Sequence, residues 1–386
     1  MALYMEQGFT SINKTGEELC GDRVESRYRD GYTTLVLADG MGSGVKANIL
    51  STLTSKILCT LVSNDIDMRE CLETVLYSLP VCRERGVAYS TFSVIHMKDD
   101  GGGYLIEFDN PQAVLIRRGE CRDLERKELE IIGKKVYKSD LNLEKNDALI
   151  VMSDGAVHAG IGCTLNFGWR RHDIMQYLTR TVRDEMSARC IACLLASACN
   201  DLYLDKPGDD TTVAVVKIRE RLRVSILVGP PVDASKDDYY IEEFLKAGEK
   251  KVVCGGTSGQ IVARRLKKEL RTSFAFYDKE VPPIGFIDGV DLVTEGVLTL
   301  RKLLAMSEKY ISESDLTPKY FTKKDGASLL ANLLFEEASD IIFFVGQSIN
   351  AAHQGLPIDI TMKLKLVESL SENLKKMGKN VLLNYD

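Results

Sequence analysis

Acidic residues stand in four short motifs that recur along the first half of the sequence. They are CGD at Asp22, ADGMGSG at Asp39, MSDG at Asp154, and PGDDTT at Asp209 and Asp210. Each motif lies at the edge of a strand-like run. Carboxylates at strand ends are held by a rigid backbone, so they can converge on one point although they are far apart in sequence. The motifs therefore predict one shared acidic site.

The chemistry of such a site follows from its ligand type. Oxygen ligands without accompanying His or Cys favour hard divalent cations, magnesium or manganese, over zinc or copper. Two such ions that share a carboxylate can deprotonate a bound water and hold a phosphoryl group for in-line attack. Asp-Gly pairs are also common turn residues, and that interpretation fits any one motif alone. Four motifs in one segment favour the metal site.

The motif ADGMGSGVKAN is the most specific of the four. An apolar strand ends at Asp39, Gly40, Gly42 and Gly44 follow, and a helix begins directly after them. Glycines allow close backbone approach, and they leave the Gly40 carbonyl able to face a cation.

Two sequence rhythms follow one another along the chain and predict two domains. Up to about residue 218, β-like runs alternate with pairs of long helical stretches, which predicts antiparallel sheets covered by helices, an α+β layout. The runs are 33–39, 90–97, 104–108, 113–118, 148–154 and 211–218, and the helical stretches are about 45–63, 68–85, 169–183 and 186–203. Residues 219–386 alternate strictly between strand-like and helix-like segments, which predicts a smaller α/β domain with a mainly parallel sheet.

The four motifs, in this order and spacing, resemble the metal-dependent protein phosphatases of the type 2C-like family, and within them the stage II sporulation protein E branch. The segments that carry the resemblance are GEELCGD, ADGMGSGVKA, LIVMSDG and GDDTTVAVVKI. It covers about residues 8–218. It implies a β-sandwich flanked by helices that hydrolyses phosphoserine and phosphothreonine in proteins, with two Mn²⁺ or Mg²⁺ ions.

The resemblance also implies roles for individual residues. Asp39 corresponds to the carboxylate that bridges both metals, and the carbonyl of Gly40 and the carboxylate of Asp22 correspond to ligands of the second metal. Asp154 and Asp209 correspond to ligands of the first metal. Asp39 and Asp22 are thereby the catalytic carboxylates, since they hold the metals that activate water.

Some positions depart from the type 2C pattern or have no counterpart in it. Asp210 is expected to be a hydrogen-bonding position beside the ligands. Met41 replaces the His of the type 2C enzymes, as in the sporulation branch, and no Arg matches their phosphate-gripping Arg. Arg23 and Lys46 are candidates for attracting phosphate, with solvated surface charge as the alternative. His158 is a weak candidate for the general acid, with a structural loop histidine as the alternative.

The second domain carries a weaker signal. The loop Gly255, Gly256, Thr257 and Ser258 joins an apolar strand to a helix whose free N–H groups could hold an anion. The loop matches neither common phosphate-binding pattern, so tight turns alone remain the alternative. Binding of a small anionic ligand at this loop is a hypothesis. No family resemblance covers the second domain.

Composition limits the remaining classes of function. The 386 residues include 50 Lys and Arg against 56 Asp and Glu, a net charge of -6, which disfavours nucleic acid and anionic membranes as partners. No run matches a membrane helix or a signal peptide, which predicts a cytoplasmic protein.

The sequence as a whole predicts a metal-dependent phosphoprotein phosphatase, regulated by its carboxy-terminal domain. A catalytically silent switch that binds a phosphoprotein is the alternative. A third interpretation makes the second domain itself an enzyme. The oligomeric state is not indicated.

Overall fold

The computed structural model divides the chain into two compact units. They comprise residues Met1–Glu220 and Arg221–Asp386. This division lies two residues beyond the predicted 218, because the last strand of the first unit continues to Glu220. The structure describes residues 3–78, 90–233, 235, 237–273, 282–312, 323–347 and 358–385. The last part of the helix predicted over 68–85 lies outside these residues.

The first unit contains antiparallel sheets and helices. Its strands are β1 (Leu3–Ile12), β2 (Asp22–Arg29), β3 (Tyr32–Gly40), β4 (Ser90–Lys98), β5 (Gly102–Phe108), β6 (Val114–Arg117), β7 (Glu120–Arg122), β8 (Lys127–Ile131), β9 (Lys134–Asn142), β10 (Ala148–Met152) and β11 (Thr211–Glu220). Its helices are α1 (Gly44–Val62), α2 (Met68–Ser78), α3 (Asp154–Val157), α4 (Arg171–Thr181) and α5 (Ala188–Leu202). In the described residues one sheet has the order β1-β11-β10-β6-β7, and the other has the order β2-β3-β4-β5-β9-β8.

Strand alternation builds the core of this unit. Leu35 and Leu37 of β3 pack in one apolar cluster with Val151 and Ala214 of the other sheet. Val36 and Ala38 of β3 point the opposite way and pack against α1 and α2. On the outer side of the other sheet, α5 packs on β1 and β11. The prediction of a β-sandwich flanked by helices is therefore confirmed.

Helix α1 combines length with apolar character. Among the described residues it is the one helix that could cross a membrane by length and composition, which the sequence analysis did not expect. However, Ala47, Leu50 and Leu58 are buried, and α1 packs on β2 and β3. Core helices of globular units meet the same criterion, so this finding is weak evidence for a membrane span.

The second unit is an α/β unit with a largely parallel sheet. Its strands are β12 (Arg223–Val228), β13 (Lys250–Cys254), β14 (Arg271–Thr272), β15 (Gly285–Ile287), β16 (Val290–Thr294), β17 (Asp340–Val345) and β18 (Asn380–Tyr385). Its helices are α6 (Asp237–Ala247), α7 (Gly256–Leu266), α8 (Val297–Ile311), α9 (Gly326–Ala331) with a following π-helical segment (Asn332–Glu337), and α10 (Ile358–Lys376).

The sheet of the second unit has the order β14-β15-β16-β13-β12-β17-β18 in the described residues. The strands from β16 to β18 in that order are parallel, and β14 and β15 add an antiparallel edge. Helices α6 and α7 share a core on one face, whereas α8, α9 and α10 pack on the other. The mainly parallel sheet that the sequence predicts is confirmed.

Candidate metal centre

Asp22 and Asp39 stand directly opposite each other on the antiparallel strands β2 and β3. Residues opposite each other in such a pair point to the same face, with Cα atoms about 4.5–5.5 Å apart. By alternation this is the face on which Val24 and Leu37 enter the core between the sheets. The two carboxylates therefore lie at the open end of the sandwich interior.

Ser153 connects this pair to the other sheet. It follows β10, and its Oγ donates to Oδ2 of Asp22 at 2.7 Å. The same Oγ accepts from the backbone N–H of Thr212, the second residue of β11, at 2.8 Å. The other oxygen of Asp22, Oδ1, is buried and has no hydrogen-bond partner among the described residues. A buried carboxylate oxygen without a partner is unfavourable unless a cation or another donor reaches it.

Asp154, Asp209 and His158 form the solvent-facing part of the cluster. Their ligand atoms all lie within 4.8 Å of one another. The Nδ1 atom of His158 is 3.7 Å from Oδ2 of Asp154, and both side chains are about half exposed. The imidazole of His158, the weak candidate for the general acid, therefore lies beside two of the predicted oxygen ligands.

Asp209 and Asp210 are adjacent in sequence but differ in their surroundings. The backbone N–H of Asp210 donates to Oδ1 of Asp209 at 3.0 Å. Asp210 itself is buried, and its Oδ1 accepts from the backbone N–H of Lys14 at 3.0 Å. Asp209 therefore faces Asp154, while the carboxylate of Asp210 is tied to the chain just before the first acidic motif.

The carboxylates repel one another strongly. Burial, and after it the charges of Asp22, Asp154, Asp209 and Asp210, together raise the pKa of Asp39 to about 9. The pKa of Asp22 is raised to about 7, first by burial, although hydrogen bonds from Ser153 and Thr212 oppose the shift. Opposite charge at the centre would remove this repulsion. The acidic set and the unpartnered oxygen of Asp22 thus fit a divalent-cation site.

Glycines bring the motifs close together. A Cβ atom on Gly40 would lie 2.0 Å from the carbonyl oxygen of Ala47, so the end of β3 can contact α1 only through glycine. A Cβ atom on Gly155 would lie 2.1 Å from the carbonyl oxygen of Asp210. The Asp-Gly pairs at residues 39 and 154 therefore do more than form turns, since each glycine permits a backbone contact that positions the neighbouring carboxylate.

The two basic candidates for attracting phosphate are both exposed, which is compatible with the alternative of solvated surface charge. Arg23 is exposed and, by alternation along β2, points away from the face that carries Asp22. Lys46 is exposed in the first turn of α1. Burial and the charge of Asp154 raise the pKa of Asp209, and the nearby charge of Lys14 opposes this shift. Lys14 is not among the residues predicted from the sequence, and its position upstream of Asp22 is the available signal.

Comparison with known proteins identifies the family of the first unit. Residues 29–219 match the sequence model of the family described as Stage II sporulation protein E (SpoIIE). These residues belong to the SpoIIE family. No curated protein sequence matches the chain.

Solved structures of several phosphatase domains are similar to the SpoIIE-family unit. The phosphatase domain of SpoIIE from Bacillus subtilis, in a crystal form without domain swapping, has 21% identity and a TM-score of 0.45, covering 57% of this chain and 94% of that chain. A longer fragment of SpoIIE from Bacillus subtilis, with part of its regulatory domain, has 23% identity and a TM-score of 0.48, covering 57% and 63%. The catalytic domain of the phosphatase PstP in complex with two manganese ions has 16% identity and a TM-score of 0.37, covering 56% and 100%.

The predicted anion loop lies outside the SpoIIE-family match. Strand β13 ends at Cys254, Gly255 is the N-cap, and α7 begins at Gly256. Thr257 is exposed and Ser258 is buried in the first turn of this helix. The strand-loop-helix arrangement is the one that the sequence predicts.

Proposed function

We propose that the SpoIIE-family unit is a metal-dependent protein serine/threonine phosphatase. The observation that carries this proposal is the meeting of the four acidic motifs at one end of the sandwich, with an unpartnered buried oxygen on Asp22 and a raised pKa on Asp39. The family match supports the same chemistry. A cluster that repels itself in this way favours bound Mn²⁺ or Mg²⁺ over the metal-free state.

The residues divide into two groups around the proposed pair of ions. Asp39 would serve both ions, with Asp22 and the carbonyl of Gly40 on one side and Asp154 and Asp209 on the other. When bound, the ions would supply an activated water and neutralise charge on the phosphoryl group. Ser153 would fix the orientation of Asp22, because it donates to one carboxylate oxygen and leaves the other directed to the centre.

Two further residues would act on the substrate. Lys14 adds positive charge beside Asp209, and this charge would attract a phosphate dianion. His158 could donate a proton to the departing serine or threonine oxygen, because it stands at the exposed edge of the cluster. The exposure of Asp154 and His158 also suits a phosphorylated side chain on a protein surface.

The carboxy-terminal unit would regulate this activity. It is a separate compact unit with its own open sheet, and it lies beyond the family match. Ligands of open parallel sheets bind at the carboxyl ends of the strands. A ligand bound there would change turnover only if it binds one state of the whole chain better than another.

Phosphate release from phosphoserine and phosphothreonine peptides tests the proposal. We expect the full chain to release phosphate with added Mn²⁺ or Mg²⁺ and to stop in chelator, with Asp39→Asn as the inactive control. Release at the same rate without metal would contradict the mechanism. Tight binding of the phosphopeptides without turnover, in the presence of metal, would instead support a silent phosphoprotein-binding switch.

A further inference from the structure

Two helix N-termini meet at the carboxyl edge of the second sheet. Strands β13 and β16 are parallel neighbours, and Cys254 and Thr294 are paired at their ends. Helix α7 follows β13 through Gly255, and α8 follows β16 through Gly296. A Cβ atom on Gly296 would lie 3.6 Å from Cα of Gly255, so these two glycine caps are in contact.

The N-terminus of α7 has unused donors. Among the described residues none accepts from the backbone N–H groups of Gly256, Thr257 or Ser258. Such groups, together with the helix dipole, attract anions. A Cβ atom on Gly256 would have no atom of the described residues within 4 Å, so no described side chain covers this point of the helix N-terminus. Gly255 has a φ of 126°, a conformation that requires glycine.

A buried hydroxyl gives independent evidence for a ligand. Ser258 is 1% exposed, and its Oγ has no hydrogen-bond partner in the described part of the chain. This Oγ lies 3.6 Å from the position that a Cβ atom on Gly255 would take, so it points toward the helix entrance. Buried hydroxyls are almost always paired, because an unpaired one is destabilising. Thr299 occupies the equivalent third position of α8, and its buried hydroxyl is also unpartnered within the described residues.

Acidic side chains distinguish the two helices. Oε2 of Glu295 accepts from the backbone N–H of Leu298 at 2.9 Å, so a carboxylate already serves the N-terminus of α8. The first turn of α7 contains no acidic residue. The unsatisfied positive end is therefore that of α7.

We propose that the loop Gly255–Ser258 binds the phosphate group of a small phosphorylated metabolite or nucleotide. The N–H groups of Gly256, Thr257 and Ser258 would donate to the phosphate oxygens, and the hydroxyl of Ser258 would gain its missing partner. Gly255 and Gly296 keep the approach free of side chains. All residues of this site belong to the second unit.

Thermal unfolding and calorimetric titration of the full chain test this site. The probes are inorganic phosphate, a nucleoside mono-, di- and triphosphate series, and sugar phosphates, all in chelator so that the metal-dependent centre does not contribute. We expect at least one probe to bind and to raise the melting temperature. Comparing the probes identifies the class of ligand. Equal binding of all probes indicates that only the phosphate group is recognised, and tighter binding of one series identifies the rest of the ligand.

The variant Ser258→Ala is the decisive comparison. It should weaken binding about tenfold, the loss typical of one hydrogen bond to a charged group, without lowering the melting temperature of the free protein. Ser371→Ala is the matched control, because Ser371 in α10 is also buried and unpartnered among the described residues but lies away from any helix N-terminus. The proposal is overturned if no probe binds at millimolar concentration, or if both variants bind as the unaltered chain does.

Discussion

Asp22 and Asp39 are cross-strand partners, and their paired position places two carboxylates on the same face at the end of one sheet. Like charges directly opposite each other destabilise a sheet. Here three more carboxylates, Asp154, Asp209 and Asp210, add to the repulsion at Asp39. The arrangement therefore destabilises the metal-free protein. A structural ion pair of opposite charges would not do so, which favours a binding site.

Asp39→Asn should abolish activity and stabilise the metal-free protein. We expect it to abolish metal-dependent phosphate release, and to raise the melting temperature of the metal-free protein at pH 8 by about 2–4 °C, which corresponds to ~1 kcal/mol in a unit of this size. Manganese should then stabilise the variant much less than the unaltered chain. Asp65→Asn is the control, because Asp65 is exposed and its left-handed φ of 56° is one that Asn tolerates.

Protons should compete with metal at this centre. In the metal-free protein Asp22 has a pKa near 7 and Asp39 near 9, both raised first by burial. The affinity for Mn²⁺ should therefore rise between pH 6 and pH 9, with proton release on binding. Because both folded-state pKa values exceed the unfolded value of 3.8, the two groups stabilise the metal-free fold most at low pH and lose this contribution as pH rises to about 9. Calorimetry in buffers of different ionisation enthalpy measures the protons released, and an affinity independent of pH would contradict the assignment.

Ser153→Ala tests the link between the two sheets. Loss of a residue that orients a metal ligand typically costs 10–100-fold in metal affinity or activity, so we expect a drop of about that size. The matched control is Ser139→Ala on β9, where the buried hydroxyl has no partner among the described residues. Both metal affinity and the unfolding curve should be measured. A loss of stability with unchanged metal affinity would reduce Ser153 to a structural role.

The sequence signals for the acidic motifs are local. An apolar run followed by Asp-Gly marks a rigid strand end at Asp39 and Asp154. The remaining positions, Asp22 and Asp209, follow from the order of the motifs in the family that the sequence resembles. Strands β1 and β2 give little local signal, because their residues are mixed polar and apolar. The partner of β1 is β11, about 200 positions later, whereas β2 pairs with the next strand, β3, across the two-residue turn at Asp30. Strand β1 depends on Gly8, where a Cβ atom would lie 2.1 Å from the backbone nitrogen of Arg189 in α5.

The same limit applies to contacts between motifs and to edge strands. The hydrogen bond from Ser153 to Asp22 spans 131 positions, and no local pattern encodes it. In the second unit, β18 is a half-exposed edge strand that follows α10, so its short run carries little signal. The antiparallel pair β14 and β15 is shorter still.

Lys14→Met should weaken substrate binding more than turnover. Lys14 lies in the loop before β2, and its charge acts on Asp209. If it attracts the phosphate, KM for a phosphopeptide should rise about tenfold, which matches one lost charge-assisted hydrogen bond, while kcat stays within about twofold. Lys14→Arg should restore most of the binding. Lys206→Met, an exposed lysine, is the control; an equal rise in KM in that variant would indicate a general charge effect.

His158→Gln should reveal which step the imidazole serves. Its Nδ1 lies 3.7 Å from Asp154 and the ring is half exposed, so it could either donate a proton to the leaving oxygen or hold Asp154 in place. A serine alkoxide leaves poorly without a proton, whereas a nitrophenolate leaves readily by itself. If His158 is the acid, the variant should lose about 100-fold or more in kcat on a phosphoserine peptide, the lower range for general acid catalysis, and much less on an aryl phosphate with the same metal. An equal loss on both substrates, together with weaker metal binding, would assign His158 to positioning Asp154 instead.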